Sequence, residues 1–123
     1  MSIVTGSCHC GRTTFQIDGR LPERVTRCTC SVCAKRGVLH AYYAPGEFSV
    51  SAEGDRIYRW RGHLVDSHFC GWCGCATYNA SPALRNDGSW DGSTRVIAVN
   101  ARLFDGFDAE HAPVSQVDGK NRV

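Results

Sequence analysis

Short stretches of alternating polar and apolar residues run along the chain, and glycine-containing turns separate them. Residues 13–17 alternate in this way before the turn pair Asp18-Gly19, and residues 48–51 alternate before a turn that contains Gly54. No segment keeps a 3.6-residue apolar period for more than about two turns. The pattern therefore predicts a mainly β protein with short strands, the others at residues 38–43, 57–60, 67–69, 76–78 and 95–99.

The length of 123 residues fits a single domain spanning residues 1–123. A domain of this size buries about two thirds of its unfolded surface, so a bound metal would add usefully to its stability. The stretch from Ala112 onward contains Pro113 and Asp118-Gly119, and it is expected to be loosely structured.

Charge and hydropathy narrow the possible partners and the compartment. The formal net charge is +2, whereas nucleic-acid binding usually requires a strongly basic face, so no nucleic-acid partner is expected. The sequence contains no apolar run of 18 residues, so no membrane span is predicted. The first residues lack the pattern of a signal peptide. A cytoplasmic protein with reduced thiols is therefore expected.

Eight cysteines are the outstanding feature of the composition. Disulfide frameworks usually spread their cysteines so that each bridge closes a sizeable loop. Here the cysteines bunch into tight groups, which is the arrangement that chelation by short turns requires. Metal binding is favoured over a disulfide framework, and the groups are Cys8 and Cys10; Cys28, Cys30 and Cys33; and Cys70, Cys73 and Cys75.

Two of these groups have the spacing of zinc knuckles. Two residues separate Cys70 from Cys73, and Gly74 follows them, so the backbone can fold back toward both sulfurs. Cys8 and Cys10 form a tighter pair that is also followed by glycine. The two pairs together can close a tetrahedral site of four thiolates.

The third group places Cys28, Cys30 and Cys33 within six residues, which is enough to hold one face of a zinc ion. Three protein ligands and one vacant position are typical of a catalytic zinc. The spacing leaves another partition open, in which Cys75 or a histidine supplies a fourth ligand and the site is structural. Cys75 has two further interpretations, a buried free thiol or a redox partner of a neighbouring thiolate.

Three cysteine-containing segments together resemble the glutathione-dependent formaldehyde-activating enzyme family. They are residues 6–11 (GSCHCG), 28–33 (CTCSVC) and 69–74 (FCGWCG), and residues 99–106 (VNARLFDG) resemble the C-terminal part of that family. The similarity covers roughly residues 6–119. It implies a β-tent fold of two layered antiparallel sheets. It also implies a structural zinc on Cys8, Cys10, Cys70 and Cys73, and a second zinc on Cys28, Cys30 and Cys33, near which glutathione binds.

The resemblance further implies a carbon–sulfur lyase or synthase that joins formaldehyde to glutathione, giving S-hydroxymethylglutathione. Lys35 and Arg36 follow the third cysteine group, and they are either a solvated pair or the groups that receive the carboxylates of glutathione. A second hypothesis is a non-catalytic zinc module, either a redox sensor or a partner-binding domain. Oxidation among Cys28, Cys30 and Cys33 would remove the metal without deciding between the two hypotheses.

Overall fold

The computed structural model describes residues 2–85 and 87–117, and in these ranges the chain forms ten strands and one short α-helix. The elements are β1 Ile3–Ser7, β2 Thr13–Asp18, β3 Val25–Cys28, α1 Ser31–Arg36, β4 His40–Tyr43, β5 Phe48–Ala52, β6 Asp55–Trp60, β7 Val65–Cys70, β8 Ala76–Pro82, β9 Arg95–Asn100 and β10 Val114–Val117. Short 3₁₀ turns cover Pro45–Glu47 and Ala101–Leu103. No helix in the described part of the chain is both long and apolar enough to cross a membrane.

The strands form two sheets, as the family resemblance implies. A three-stranded antiparallel sheet has the order β1-β2-β5, and a seven-stranded sheet has the order β10-β3-β4-β9-β8-β7-β6. Every pair in the larger sheet is antiparallel except β10, which pairs in parallel with β3. The prediction of a mainly β fold with two sheets is therefore confirmed, with one parallel pair added.

The hydrophobic core lies between the two sheets. Phe15 and Ile17 of β2 point inward from the small sheet, and they meet Ala41, Ile97 and Val99 from the large one. All five are almost completely buried, and full burial of one large apolar side chain stabilises a fold by about 1.5–3 kcal/mol. Since side chains alternate along a strand, the residues between these core positions face the opposite side of the large sheet.

Strand β10 corrects the expectation of a loose C-terminal stretch. Val114–Val117 pairs along its whole length with β3, and the N–H of Val25 donates to the carbonyl of Pro113 (3.0 Å). Its partner, β3, lies almost ninety positions earlier in the sequence, so no local pattern predicts the pairing. Asp118 and Gly119, which belong to the same stretch, lie outside the described residues.

Candidate metal centres

The thiols of Cys8, Cys10, Cys70 and Cys73 meet at one end of the molecule. The first two lie in the loop after β1, Cys70 ends β7, and Cys73 lies in the turn that follows. All four sulfurs lie within 4.8 Å of one another, and the Cys10 sulfur is 3.6 Å from those of Cys8 and Cys70. The structure therefore brings together the two pairs that the sequence predicts to share one site.

Tight turns aim these sulfurs at a common point. The N–H of Gly74 donates to the carbonyl of Cys70 (2.9 Å), and Gly74 adopts a φ of 79°, where a side chain would be strained. In the first loop, the N–H of Cys8 donates to the carbonyl of Thr13 (3.0 Å). Each glycine-containing turn reverses the backbone and leaves its two cysteines on the same side.

Backbone N–H groups surround the sulfurs and favour the thiolate form, whereas burial and the neighbouring Cys10 and Cys73 raise the pKa of Cys70. The N–H of Thr13 donates to Cys8 Sγ (3.4 Å), and those of Trp72 and Cys73 donate to Cys70 Sγ (3.4 and 3.5 Å). Hydrogen bonds from the backbone N–H groups of Cys75 and Cys10 lower the pKa of Cys73 to about 5. Thiolate is the form that binds a metal ion.

The spacing of the four sulfurs fits zinc. Tetrahedral zinc with bonds to sulfur of about 2.3 Å places neighbouring sulfurs about 3.8 Å apart. The observed separations of 3.6 Å between the Cys10 sulfur and two of its neighbours are close to this value. The cluster is therefore able to hold a metal ion with little rearrangement.

The second cluster forms where β3 passes into α1. Cys28 ends β3, Cys30 is the N-cap of α1 and Cys33 lies in its first turn, and their three sulfurs lie within 4.8 Å of one another. The N–H of Cys33 donates to Cys30 Sγ (3.4 Å), so the same thiol caps the helix and belongs to the cluster. Gly37 ends the helix in the left-handed conformation, and its N–H donates to the carbonyl of Cys33.

His40 is the polar neighbour that sequence reasoning did not single out. Its Nε2 lies 3.2 Å from Cys33 Sγ, and its side chain is buried. Burial and the positive charge of Arg36 lower the pKa of His40 to about 4, so the imidazole is neutral near pH 7. Hydrogen bonding with Cys28, burial and Cys30 raise the pKa of Cys33, as expected when three thiols crowd together without a cation.

Three thiols, and not four groups, make up this second cluster. Among residues 2–85 and 87–117, no fourth Cys, His, Asp or Glu ligand atom lies within 4.8 Å of all three sulfurs. Cys75 lies beside the other cluster, where Cys73 and Cys8 contribute to its electrostatic surroundings. The geometry thus argues against Cys75 as a fourth ligand here, and it leaves His40 as the histidine nearest to the cluster.

A cavity of about 350 Å³ opens directly at the three thiols. It lies on the face of the large sheet that points away from the core, where β4 contributes His40 and Tyr42 and β8 contributes Asn79 and Ser81. The strand predicted at residues 38–43 includes part of this wall, because side chains alternate along a strand and His40 and Tyr42 are two positions apart. The contributions from the other strands depend on sheet order, which no local pattern reveals.

Lys35 and Arg36 lie on the other side of α1, in an open cleft that the cavity does not include. Tyr58, Phe69 and Gly74 also line this cleft. The Arg36 guanidinium carbon lies 5.9 Å from the centre of the Phe69 ring, a cation–π contact that holds the charge at the cleft wall. On β6, Tyr58 of the cleft lies two residues from Trp60 of the cavity. On β7, Phe69 of the cleft lies four residues from Val65 of the cavity. The cleft and the cavity are therefore neighbours.

Two layered sheets with two cysteine clusters that could hold metal ions define a small, mainly β protein. The chain belongs to the glutathione-dependent formaldehyde-activating enzyme family, whose model matches residues 3–117. A Halomonas elongata protein named "putative glutathione-dependent formaldehyde-activating enzyme" is 31% identical over 90 residues. That alignment covers 65% of this chain and 57% of the relative, so the matched region spans little more than half of that protein's length.

The crystal structure of a Rhodobacter sphaeroides protein has a similar fold. It superposes with a TM-score of 0.70 over 90% of this chain and 99% of the other, at 23% sequence identity. The similarity at this identity supports the fold alone.

Proposed function

We propose that this chain is a zinc-dependent carbon–sulfur lyase or synthase that acts on glutathione adducts. In the synthetic direction it joins glutathione to formaldehyde or a related aldehyde, giving S-hydroxymethylglutathione or its analogue. The observation that carries the proposal is a cluster of three thiols, with no fourth ligand atom among the described residues, at the wall of a cavity. Family membership supports the same reaction class.

The two clusters would have different tasks. Cys8, Cys10, Cys70 and Cys73 would hold a structural zinc that ties the loop after β1 to the end of β7. Cys28, Cys30 and Cys33 would hold a second zinc with one free position. An ion there would supply a Lewis acid that favours the thiolate form of a bound thiol.

The positive cleft beside α1 suits the charged parts of the thiol substrate. Glutathione carries two carboxylates, and Lys35 and Arg36 line the cleft beside the helix that bears Cys30 and Cys33. Hydrogen bonds between charged partners are stronger than neutral ones, and they would hold the tripeptide with its sulfur near the cluster. Lys35 and Arg36 are therefore assigned to binding, without a part in the chemical step.

In the bond-forming step, the thiolate sulfur of glutathione attacks the carbonyl carbon of the aldehyde. A carbon–sulfur bond forms, the π electron pair of the carbonyl moves to oxygen, and the resulting alkoxide takes up the proton that the thiol lost. The Tyr42 side chain shares the cavity wall with the three thiols, and its hydroxyl is the proposed hydrogen-bond donor to that oxygen. Partial burial and the negative charges of Cys28, Cys33 and Cys30 raise the pKa of Tyr42, so this hydroxyl stays protonated at neutral pH.

Exchange NMR with labelled formaldehyde tests the proposal, because it measures adduct formation at equilibrium against the uncatalysed background. Zinc-loaded protein is expected to increase the exchange rate between free formaldehyde and its glutathione adduct, and Cys30→Ser is expected to abolish the increase. Cys75→Ser provides a matched control outside both clusters. An exchange rate equal to the background with fully zinc-loaded protein would contradict the proposed activity.

A non-catalytic zinc module is the second candidate, and the position of His40 favours it. With Nε2 only 3.2 Å from Cys33 Sγ, a small movement of His40 would make it a fourth ligand and close the site. X-ray absorption spectroscopy of the wild type, with the spectrum of folded Cys30→Ser as the reference for the first site, separates the two candidates. Three sulfurs with an exchangeable oxygen support the enzyme, whereas three sulfurs and one imidazole nitrogen support the module.

A further inference from the structure

The cavity beside the three thiols is much larger than formaldehyde requires. Its volume is about 350 Å³, whereas a water molecule in the liquid occupies roughly 30 Å³. Formaldehyde has two non-hydrogen atoms and would leave most of this space unfilled. A volume in the range of ordinary ligand pockets, roughly 300–1,000 Å³, indicates a larger organic group.

The cavity extends from the cysteine cluster along the sheet. His40, at the cluster, pairs with Asn100 of β9, and Val96 at the other end of the cavity lies four residues back along that strand. With a rise of about 3.3 Å per residue, this distance is about 13 Å. The space is thus elongated, with the reactive thiols at one end.

Most of the accessible wall is apolar. Carbon surfaces come from three strands and the segment after β8, namely Val65, Val96, Ala98, Pro82 and Leu84. Trp60 also lines the cavity, and its indole N–H donates to Ser67 Oγ (2.9 Å). The polar edge of the indole is therefore satisfied by the protein, and its carbon surface remains for a ligand.

Besides the cysteines, the wall has few polar side chains, and two of them, His40 and Tyr42, lie at the cysteine end. Asn79 and Ser81 are on β8, and Arg61 lies beyond the end of β6, at the turn into β7. A wall with this distribution suits a chain of methylene groups better than a polar or charged substituent, because burying a polar group without a partner is costly.

We infer that the cavity binds the hydrocarbon chain of an aliphatic aldehyde, so that a medium-length aldehyde is a better substrate than formaldehyde. This inference rests on the proposed function and names the second substrate of the same site. The thiolate of glutathione, held in the cleft, attacks the aldehyde carbon at the cluster while the chain lies along the sheet. The product is the hemithioacetal, formed by the same transfer of one proton from thiol to oxygen.

Two probes test the inference on the zinc-loaded protein, hexanal with glutathione for turnover and 1-hexanol for binding alone. Hexanal is expected to have a kcat/KM at least about tenfold higher than formaldehyde, since one methylene in an apolar pocket can change this ratio tenfold or more. 1-Hexanol is expected to bind and to change the fluorescence of Trp60. Equal or higher kcat/KM for formaldehyde, together with no binding of 1-hexanol, would overturn the inference.

Variants that fill the cavity make the test specific to this place. Ala98→Leu adds side-chain volume to the cavity wall, and it is expected to weaken 1-hexanol binding and to lower kcat/KM for hexanal by about tenfold or more. Ala52→Leu is the matched control, because Ala52 is an exposed residue of β5 in the other sheet. If Ala98→Leu does not fold, Ser81→Leu at the same wall replaces it. Unchanged hexanal kinetics and 1-hexanol binding in the folded variant would contradict the inference.

Measuring binding separately from turnover distinguishes a wrong assignment of the cavity from a wrong assignment of the reaction. If 1-hexanol does not bind while formaldehyde is turned over, the assignment of the cavity is wrong and the proposed reaction stands. If 1-hexanol binds to the wild type and not to Ala98→Leu, yet neither aldehyde reacts faster than the background, the proposed reaction is wrong and the cavity remains an apolar ligand site.

Discussion

Cys10 and Cys70 are sixty positions apart in the sequence, and their sulfur atoms lie 3.6 Å from each other. One belongs to the loop after β1 in the small sheet, and the other ends β7 in the large sheet. A metal ion held between them would cross-link the two sheets. A cross-link between distant residues restricts the unfolded chain as well as stabilising the folded one.

The first prediction concerns Cys70→Ser, which removes one of the two buried thiols of this cluster. Zinc in comparable peptide sites supplies about 10–16 kcal/mol of folding free energy, which is as large as the net stability of an ordinary domain. We therefore expect the variant to be unfolded, or to melt at a much lower temperature, in thermal unfolding followed by circular dichroism. Cys75→Ser, next to the cluster and outside its four ligands, should melt like the wild type. Identical melting curves for Cys70→Ser and the wild type would show that the four-thiol assignment is wrong.

The second prediction uses the opposite orientation of two neighbouring tyrosines. Tyr42 lines the cavity, whereas Tyr43 packs against the core. Removal of one catalytic hydrogen-bond donor typically lowers kcat by about 100-fold. Tyr42→Phe should therefore reduce the rate of adduct formation by about that factor at unchanged zinc content, and Tyr43→Phe should not. Equal rates for Tyr42→Phe and Tyr43→Phe would exclude Tyr42 as the donor.

A third prediction tests the positive cleft. Lys35→Ala removes an exposed charge from the cleft wall. We expect KM for glutathione to rise by about tenfold, because the loss of one charge-assisted hydrogen bond weakens binding by roughly that factor. We expect little change in kcat. The effect should shrink at high salt, because exposed charges are screened. Arg20→Ala removes an exposed charge between β2 and β3 and serves as the control. A KM for glutathione that does not change in Lys35→Ala would mean that Lys35 belongs to a solvated pair.

The fourth prediction concerns the packing between β1 and the core. A Cβ at Gly6 would lie 2.3 Å from Phe15 Cζ and 2.6 Å from the carbonyl oxygen of Leu103, and the backbone oxygen cannot move aside easily. Gly6→Ala should lower the free energy of unfolding by about 1–3 kcal/mol in denaturant titration. Gly46→Ala is the control, since a Cβ there meets nothing within 4 Å. Equal stability of the two variants would show that the contact with Leu103 relaxes.

Local sequence patterns predict much of this fold. Strands β2, β5 and β9 follow from alternation or from runs of β-branched residues, and the spacing of the cysteines along the chain predicts both clusters. What local patterns lack is information on pairing. Val25–Cys28 and Val114–Val117 are four-residue strands, and each acquires its stability from a partner far away in the sequence.

The same reason explains which parts of the site sequence reasoning missed. His40 contacts Cys33 because β4 follows α1 closely and lies beside β3. Tyr42 and Asn79 join the cavity through the register of β4, β9 and β8, in which Ala98 lies between them. Because these positions are fixed by sheet order, a single sequence shows the residues without showing that they meet.

Counting zinc ions tests the central claim most directly. Native mass spectrometry of protein purified under reducing conditions, with and without glutathione, would be applied to the wild type and to Cys30→Ser. Serine is itself a good N-cap, so α1 should persist in the variant. The account predicts two zinc ions and a bound glutathione in the wild type, and one zinc ion without glutathione in a folded Cys30→Ser. A single zinc ion and no glutathione in the wild type would contradict it.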